Sequence, residues 1–249
     1  MNQKESPKIH YFESLDSTNL KLKELAKDGT LPELSVVVTK DQTAGRGQPG
    51  NYWESEAGKN LTFSVLIQPD FLQVQQQFCI TQLVTLALMD VLKPIYEKVA
   101  IKWPNDIYAD HYKLAGILIE NNLKGNSISD SIIGIGLNLN QTLFKSNAPN
   151  PVSLCQLTNQ PHPPEEMLKA FLSAFISRYV DWMASGNNEA LKEAYLQHLY
   201  RRSGWHWYAD KTGRFEACFA DIKADGHLQL RTRTNEIRTY AFKEVSFIL

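Results

Sequence analysis

Residues 45–60 read GRGQPGNYWESEAGKN. Gly45, Gly47 and Gly50 fall at G-x-G-x-x-G spacing, the pattern of a dinucleotide-binding turn. Such a turn needs a strand before the glycines and a helix opening directly after them. The β-branched run SVVVTK (35–40) supplies the strand, and Asp70 stands at a suitable distance downstream. The helix is missing. Pro49 sits inside the pattern, NYWESEAG has neither helical periodicity nor a cap, and a new strand pattern starts at Asn60. Strand, long loop and strand do not make a βαβ unit, so a dinucleotide turn is excluded. What is left is a polar loop carrying Arg46 and Lys59. It suits an anionic ligand, and equally a mobile surface hairpin.

Later strands favour the ligand. In IIGIGLNLN (132–140), alternation sets Ile133, Ile135, Leu137 and Leu139 on one face and Gly134, Gly136, Asn138 and Asn140 on the other. One face is core; the other is stripped to glycine and amide, as expected where a ligand lies against the sheet. In VAIKW (99–103), Lys102 points away from Val99, Ile101 and Trp103. Lys113 opens KLAGILIE, on the face that alternation shares with Ala115, Ile117 and Ile119. A lone lysine of this kind is usually a snorkelling edge residue. Two lysines, an arginine loop and an amide-lined glycine face read better as one anion site.

The rest of the chain frames that site. KIHYFESLDS and LTFSVLIQ read as strands, and LKGN as the turn of a hairpin between KLAGILIE and SIIGIGLNLN. STNLKLKELAKDG reads as a helix capped by Ser17 or Thr18 and stopped at Gly29. QQFCITQLVTLALMDVL is a buried helix, Met167 to Val180 mark an amphipathic one, and NEALKEAYLQHL follows. From about Ser203 short alternating strands with Lys-Thr-Gly, Asp-Gly and Thr-Asn turns indicate a small β-barrel or sandwich. The fold class is α+β, divided at 1–202 and 203–249. Lys+Arg 26 against Asp+Glu 27 argues against a protein that lives on phosphate backbones. Cys79, Cys155 and Cys218 are scattered, without a C-x-x-C pair, which points to reduced thiols. The first ten residues lack an apolar signal region and no stretch approaches a membrane span, so a cytoplasmic protein is expected.

Five short blocks, in one order, carry a resemblance: LDSTN (15–19), DQTAGRGQPGNYW (41–53), KWPNDIY (102–108), KLAGILIE (113–120) and GIGLNLN (134–140). Together they resemble the biotin–protein ligases, specifically the biotin–[acetyl-CoA-carboxylase] ligase type. The resemblance implies a mixed-sheet catalytic domain flanked by helices, like that of class II aminoacyl-tRNA synthetases and of biotin–lipoate ligases. It also implies a small C-terminal SH3-like β-barrel. Only Met1–Glu13 precede the first block, so the class without a DNA-binding domain is expected.

Carried over by position, Ser17, Thr18, Asn19, Gln42, Gly45, Arg46, Gly47, Gln48, Lys113 and Gly116 would hold biotin. Arg46, Gln48, Trp53, Lys102, Asn105, Lys113 and Asn138 would hold ATP or the adenylate, with Trp53 packing on adenine. Lys113 and Arg46 would be catalytic, ATP and Mg²⁺ the cofactors, and Asp106 the candidate metal ligand. The implied reaction joins biotin to a lysine of a biotin carboxyl carrier protein through biotinyl-5′-AMP, with the 45–60 loop as lid. One departure stands out: many relatives read GRGR where this chain reads GRGQ, placing Gln48 for an arginine, with Pro49 stiffening the loop beside it. A lipoate–protein ligase of the same fold and a non-catalytic biotin or nucleotide sensor are the competing readings.

Overall fold

The computed structural model describes residues 8–48, 50–146 and 150–248. Strands β1 (Ile9–Leu15), β2 (Val36–Gln42), β3 (Leu61–Ile67), β4 (Val99–Lys102), β5 (Asp106–Ala109), β6 (Tyr112–Lys124) and β7 (Ser127–Leu137) form one sheet. Their order is β1-β2-β3-β7-β6-β5-β4. β1 and β2 run parallel and all other neighbours antiparallel, so the sheet is mixed as expected.

Period-two patterning decides what covers each face. Val36, Val38, Phe63, Val65, Ile133 and Ile135 point into the main core. There they meet α2 (Phe78–Leu92), buried at every position but Asp90 and Val91, and α4 (Pro164–Ser185). An apolar girdle that complete belongs to an inner helix. α4 begins with proline in its first turn, carries Glu165 and Glu166 there, and stops on Gly186 at φ 60°. Phe171, Phe175 and Tyr179 stack at i, i+4 spacing (5.6 and 6.0 Å), and Phe171 meets Phe63 edge-on at 5.2 Å. Truncating Phe171 to alanine would cost about 3–5 kcal/mol. On the opposite face Val37, Leu66 and Ile132 form a smaller cluster with Leu22 of α1 (Thr18–Leu25), edged by Phe12, Leu15, Leu25, Ala26 and Leu31. That short helix covers Gly134 through Asn19 but stops short of Gly116 and Gly136, and the cleft lies there. Ser17 is its N-cap residue, but its side chain makes no capping hydrogen bond.

The sequence pattern does not anticipate β5 or the short α3 (Leu154–Thr158). β5 has four residues, opens on an aspartate and follows Pro104-Asn105, so it reads locally as a turn. Its presence corrects the placement of Lys113. In the β5–β6 ladder Ile107 pairs with Ala115 but Tyr108 pairs with Lys113, leaving Leu114 as the extra residue of a β-bulge. Simple alternation fails at that point. Lys113 turns off the face of Ala115 and Ile117 onto that of Gly116, where its Cε lies 3.4 Å from a Cβ built on the glycine.

After α5 (Asn188–Gln197) come β8 (His206–Asp210), β9 (Gly213–Ile222), β10 (Leu228–Thr232), β11 (Ile237–Tyr240) and β12 (Ser246–Phe247). They form an antiparallel sheet in the order β11-β10-β9-β8-β12. β11 and β12 stand at opposite edges of this five-stranded sheet. It docks through its turns: Trp103 donates to the Gly226 carbonyl at 2.9 Å, and Phe242 packs on Trp103 at 5.3 Å. Among the described residues no helix is long and apolar enough to cross a membrane.

Candidate active site

A cleft of about 780 Å³ opens over the glycine face. It brings together Ser17, Thr18, Asn19, Gln42, Arg46, Gly47, Gln48, Trp53, Lys102, Asn105, Asp106, Lys113, Gly116 and Asn138. Gly45 lies just beneath, its carbonyl accepting the Trp53 N–H at 3.0 Å. A Cβ there would stand 2.2 Å from the Trp53 carbonyl oxygen, so only glycine fits. Lys59 is exposed and does not line the cleft. Pro49 lies outside the described residues.

One end is uncharged and closed. Gln42 Oε1 accepts from the Thr18 N–H at 3.0 Å and faces its hydroxyl at 3.3 Å. Ser64 Oγ sits 2.7 Å from Thr18 Oγ1 and 2.6 Å from Asn19 Oδ1. Asn19 Nδ2 donates to Glu120 at 2.7 Å, so its Oδ1 is the acceptor and takes the single Ser64 proton. Glu120 then lies 3.9 Å from Arg46, a half-exposed pair worth little by itself. A chain of polar contacts thus runs from the buried pocket out to the loop.

The other end is cationic and incomplete. Lys113 Nζ pairs with Asp106 at 2.7 Å. Lys102 sits nearby, its pKa lowered by burial, with Asp106 opposing the shift and Lys113 and Arg201 adding to it. Asn138 donates its amide to the Val152 carbonyl at 3.1 Å, while its buried Oδ1 has no protein partner. The buried Trp53 indole N–H has none either. Each unsatisfied group costs about 1–3 kcal/mol until something fills the gap. Asn105 is differently employed: its side-chain amide donates to the Ile117 carbonyl and pins the turn to β6.

Between the ends, the Trp53 indole lies against the glycine floor. A Cβ on Gly136 would stand 2.2 Å from Trp53 Cε2, and one on Gly116 2.9 Å from Cζ3. The next residue latches the loop. Glu54 accepts from the Lys145 N–H at 2.9 Å, the Ser146 N–H at 2.6 Å and Gln141 Nε2 at 3.0 Å. Burial pushes its carboxyl up, but these bonds together prevail and hold it below the usual range.

Ser64, Glu120 and Glu54 escaped the sequence reading. A signal existed for Ser64: with Thr62 it breaks the apolar run of β3 at period two. The register sets them opposite Gly134 and Gly136. Among the described residues no group of three or more His, Cys, Asp or Glu side chains could hold a metal ion. Asp106, committed to Lys113, does not build a resident metal site.

Residues 11–138 match the Biotin/lipoate A/B protein ligase family. The chain is 34% identical over 185 residues to the Bifunctional ligase/repressor BirA of Bacillus subtilis, covering 71% of this chain and 55% of that one. It is 33% identical over 226 residues to the Biotin--[acetyl-CoA-carboxylase] ligase of Paracoccus denitrificans, covering 87% and 91%. The chain thus spans about half the length of the ligase/repressor relatives and most of the Paracoccus one. In fold it is similar to the biotin protein ligase of Aquifex aeolicus, solved with biotin and ATP. The TM-score is 0.78 at 22% identity, over 96% of this chain and 97% of that one. On its matched residues, and on the Paracoccus relative over nearly its whole length, the chain belongs to the biotin/lipoate A/B protein ligase family.

Proposed function

We propose that the protein is an ATP-dependent ligase that activates biotin and transfers it to a lysine of a biotin carboxyl carrier protein. A single observation carries this reading: one cleft joins a closed hydroxyl–amide pocket to a lysine-rich end, with a glycine floor between. A neutral cyclic urea with a carboxylate tail matches that polarity end to end. Ser17, Thr18, Asn19 and Gln42 present hydroxyls and amides to the ureido ring. Arg46, the Gly45–Gln48 backbone and Lys113 face the carboxylate.

Chemistry at the cationic end follows from charge. A carboxylate resists amines because oxide is a poor leaving group. Its oxygen attacks the α-phosphorus of ATP, the bond to the pyrophosphate oxygen breaks, and biotinyl-5′-AMP forms. Lys113, preorganised by Asp106, neutralises charge on the carbonyl and phosphoryl oxygens as it develops. The lysine amine of the carrier then attacks the acyl carbon, the acyl–oxygen bond breaks, AMP leaves and the amine proton passes to solvent. The orphaned Asn138 Oδ1 and Trp53 N–H suit adenine, which offers both a donor and an acceptor edge. Mg²⁺ belongs to the incoming nucleotide rather than to a protein-built site. We further read 203–249 as a C-terminal domain of SH3-like kind and the protein as cytoplasmic.

The test is mass spectrometry of a carrier domain incubated with the protein, ATP and either biotin or lipoate. A mass gain of one biotin on a single lysine is expected. Gain only with lipoate would favour the sister activity. ATP–pyrophosphate exchange that stays at background with both acids would leave a sensor.

A further inference from the structure

Lys102 closes β4 with its ammonium in the cleft wall. Its Nζ stands 4.8 Å from the centroid of the Tyr108 ring and 5.1 Å from that of Phe247. Its nearest carboxylate neighbour on the sheet, Asp106, is committed to Lys113 at 2.7 Å. Among the described residues Lys102 has neither an ion pair nor a hydrogen bond. A desolvated cation without a carboxylate is costly, and two aromatic faces offset only part of that cost.

Phe247 comes from the other sheet, on β12. Its ring is fixed from behind: it meets Tyr208 edge-on at 5.0 Å and stacks on Tyr200 at 6.4 Å. Arg201 lies 5.8 Å from the same ring and donates to the carbonyls of Trp207 at 3.2 Å and Ile248 at 2.7 Å. The Ile248 N–H in turn donates to the Trp207 carbonyl at 3.0 Å. The strand is thus anchored beside the ring it presents.

We propose that Phe247 is a positioning residue for the nucleotide: its ring holds the Lys102 ammonium desolvated and aimed into the cleft for the phosphates of ATP. The inference rests on the ATP-dependent reading above. A ring serves this purpose where a carboxylate would not. It attracts the cation through its quadrupole and restrains a flexible stem, yet places no negative charge where phosphate must come. By this account the C-terminal sheet is a working wall of the nucleotide site.

The experiment measures biotin-dependent pyrophosphate release while ATP and biotin are varied separately. Phe247→Leu should raise KM for ATP about fivefold, leaving KM for biotin within about twofold, and Phe247→Tyr should restore it. In a Lys102→Met background Phe247→Leu should add less than about twofold, because its target is gone. The ring favours the charged form, so its loss should move the alkaline limb of kcat/KM for ATP to lower pH. The groups facing Lys102 (Asp106, Tyr108, Lys113 and Arg201) remain in every variant except through the lysine itself.

A parallel rise in both KM values, or a full effect in the Lys102→Met background, overturns the proposal. Should Phe247→Leu fail to fold, pentafluorophenylalanine at position 247 keeps the volume and reverses the charge of the ring face. The same ATP-selective defect is then expected, and an unchanged KM for ATP overturns the role. If the wild-type protein releases no pyrophosphate, the enzymatic reading falls by itself. Calorimetric ATP affinity of wild type against Phe247→Leu then decides this one separately: about fivefold weaker binding supports it, and equal binding overturns it.

Discussion

The two ends of the cleft are built on opposite plans. At the uncharged end Thr18, Asn19, Gln42 and Ser64 are buried and bonded to one another or to Glu120. At the cationic end Lys113 holds Asp106, Lys102 has no ion pair among the described residues, and two buried polar atoms have no partner. A closed network is rigid before ligand arrives and selects by shape and donor pattern. An open one is held in tension by desolvation and gains most when a phosphate enters. Recognition and chemistry are therefore separable by position, and substitutions at one end should leave the other's task standing.

Lys113→Ala should break the comparison most sharply. Pyrophosphate release should fall about a hundredfold or more while biotin binding stays measurable by calorimetry. Normal release by this variant would remove the lysine from the chemistry. Ser64→Ala tests the other end. It takes the proton from Asn19 Oδ1 inside a buried network, and about 1–3 kcal/mol corresponds to roughly tenfold weaker biotin binding. Turnover at saturating biotin should hold, and a loss of turnover with unchanged affinity would erase the division of labour. The smallest effect is expected at Gln48, which lines the cleft without bringing charge. Gln48→Arg should slow escape of the free adenylate about fivefold, the gap between a neutral and a charge-assisted bond. It should also lower stray biotinylation of bystander lysines. An unchanged off-rate would place the position outside reach of the intermediate.

Sequence legibility followed the range of the interactions. The glycine face of β7, the buried girdle of α2 and the apolar stripe of α4 are written in local periodicity, and the structure shows all three. The orientation of Lys113 was not legible. It depends on a bulge in pairing with β5, a strand too short and too polar at its start to be seen alone. Ser64 looked like a small residue in an apolar run, since only the β3–β7 register sets it against Gly134. Phe247 was hidden for the same reason: nothing near residue 247 announces a lysine at 102. The strand glycine Gly136 reads as room for a ligand, whereas the structure seats Trp53 against it and against Gly116.

Glu54 ties two stretches of chain that the sequence separates by about ninety residues, its partners being Lys145 and Ser146. Mechanically this makes the cleft a door with two leaves, with Glu54 as its bolt and Gln141, which accepts from the Glu56 N–H at 2.9 Å, as a second tie. If both backbone N–H groups must be released before either leaf swings, residues 51–56 and 142–146 should exchange their amide hydrogens on one clock. Glu54→Gln should give each its own, read by hydrogen exchange. Mild acid should leave the bolt shot, because a depressed carboxyl keeps its charge until the pH falls through its own lowered range. Entry of nucleotide and departure of AMP would then be timed by the same event, set by a carboxylate in the cleft wall that the proposed chemistry does not use.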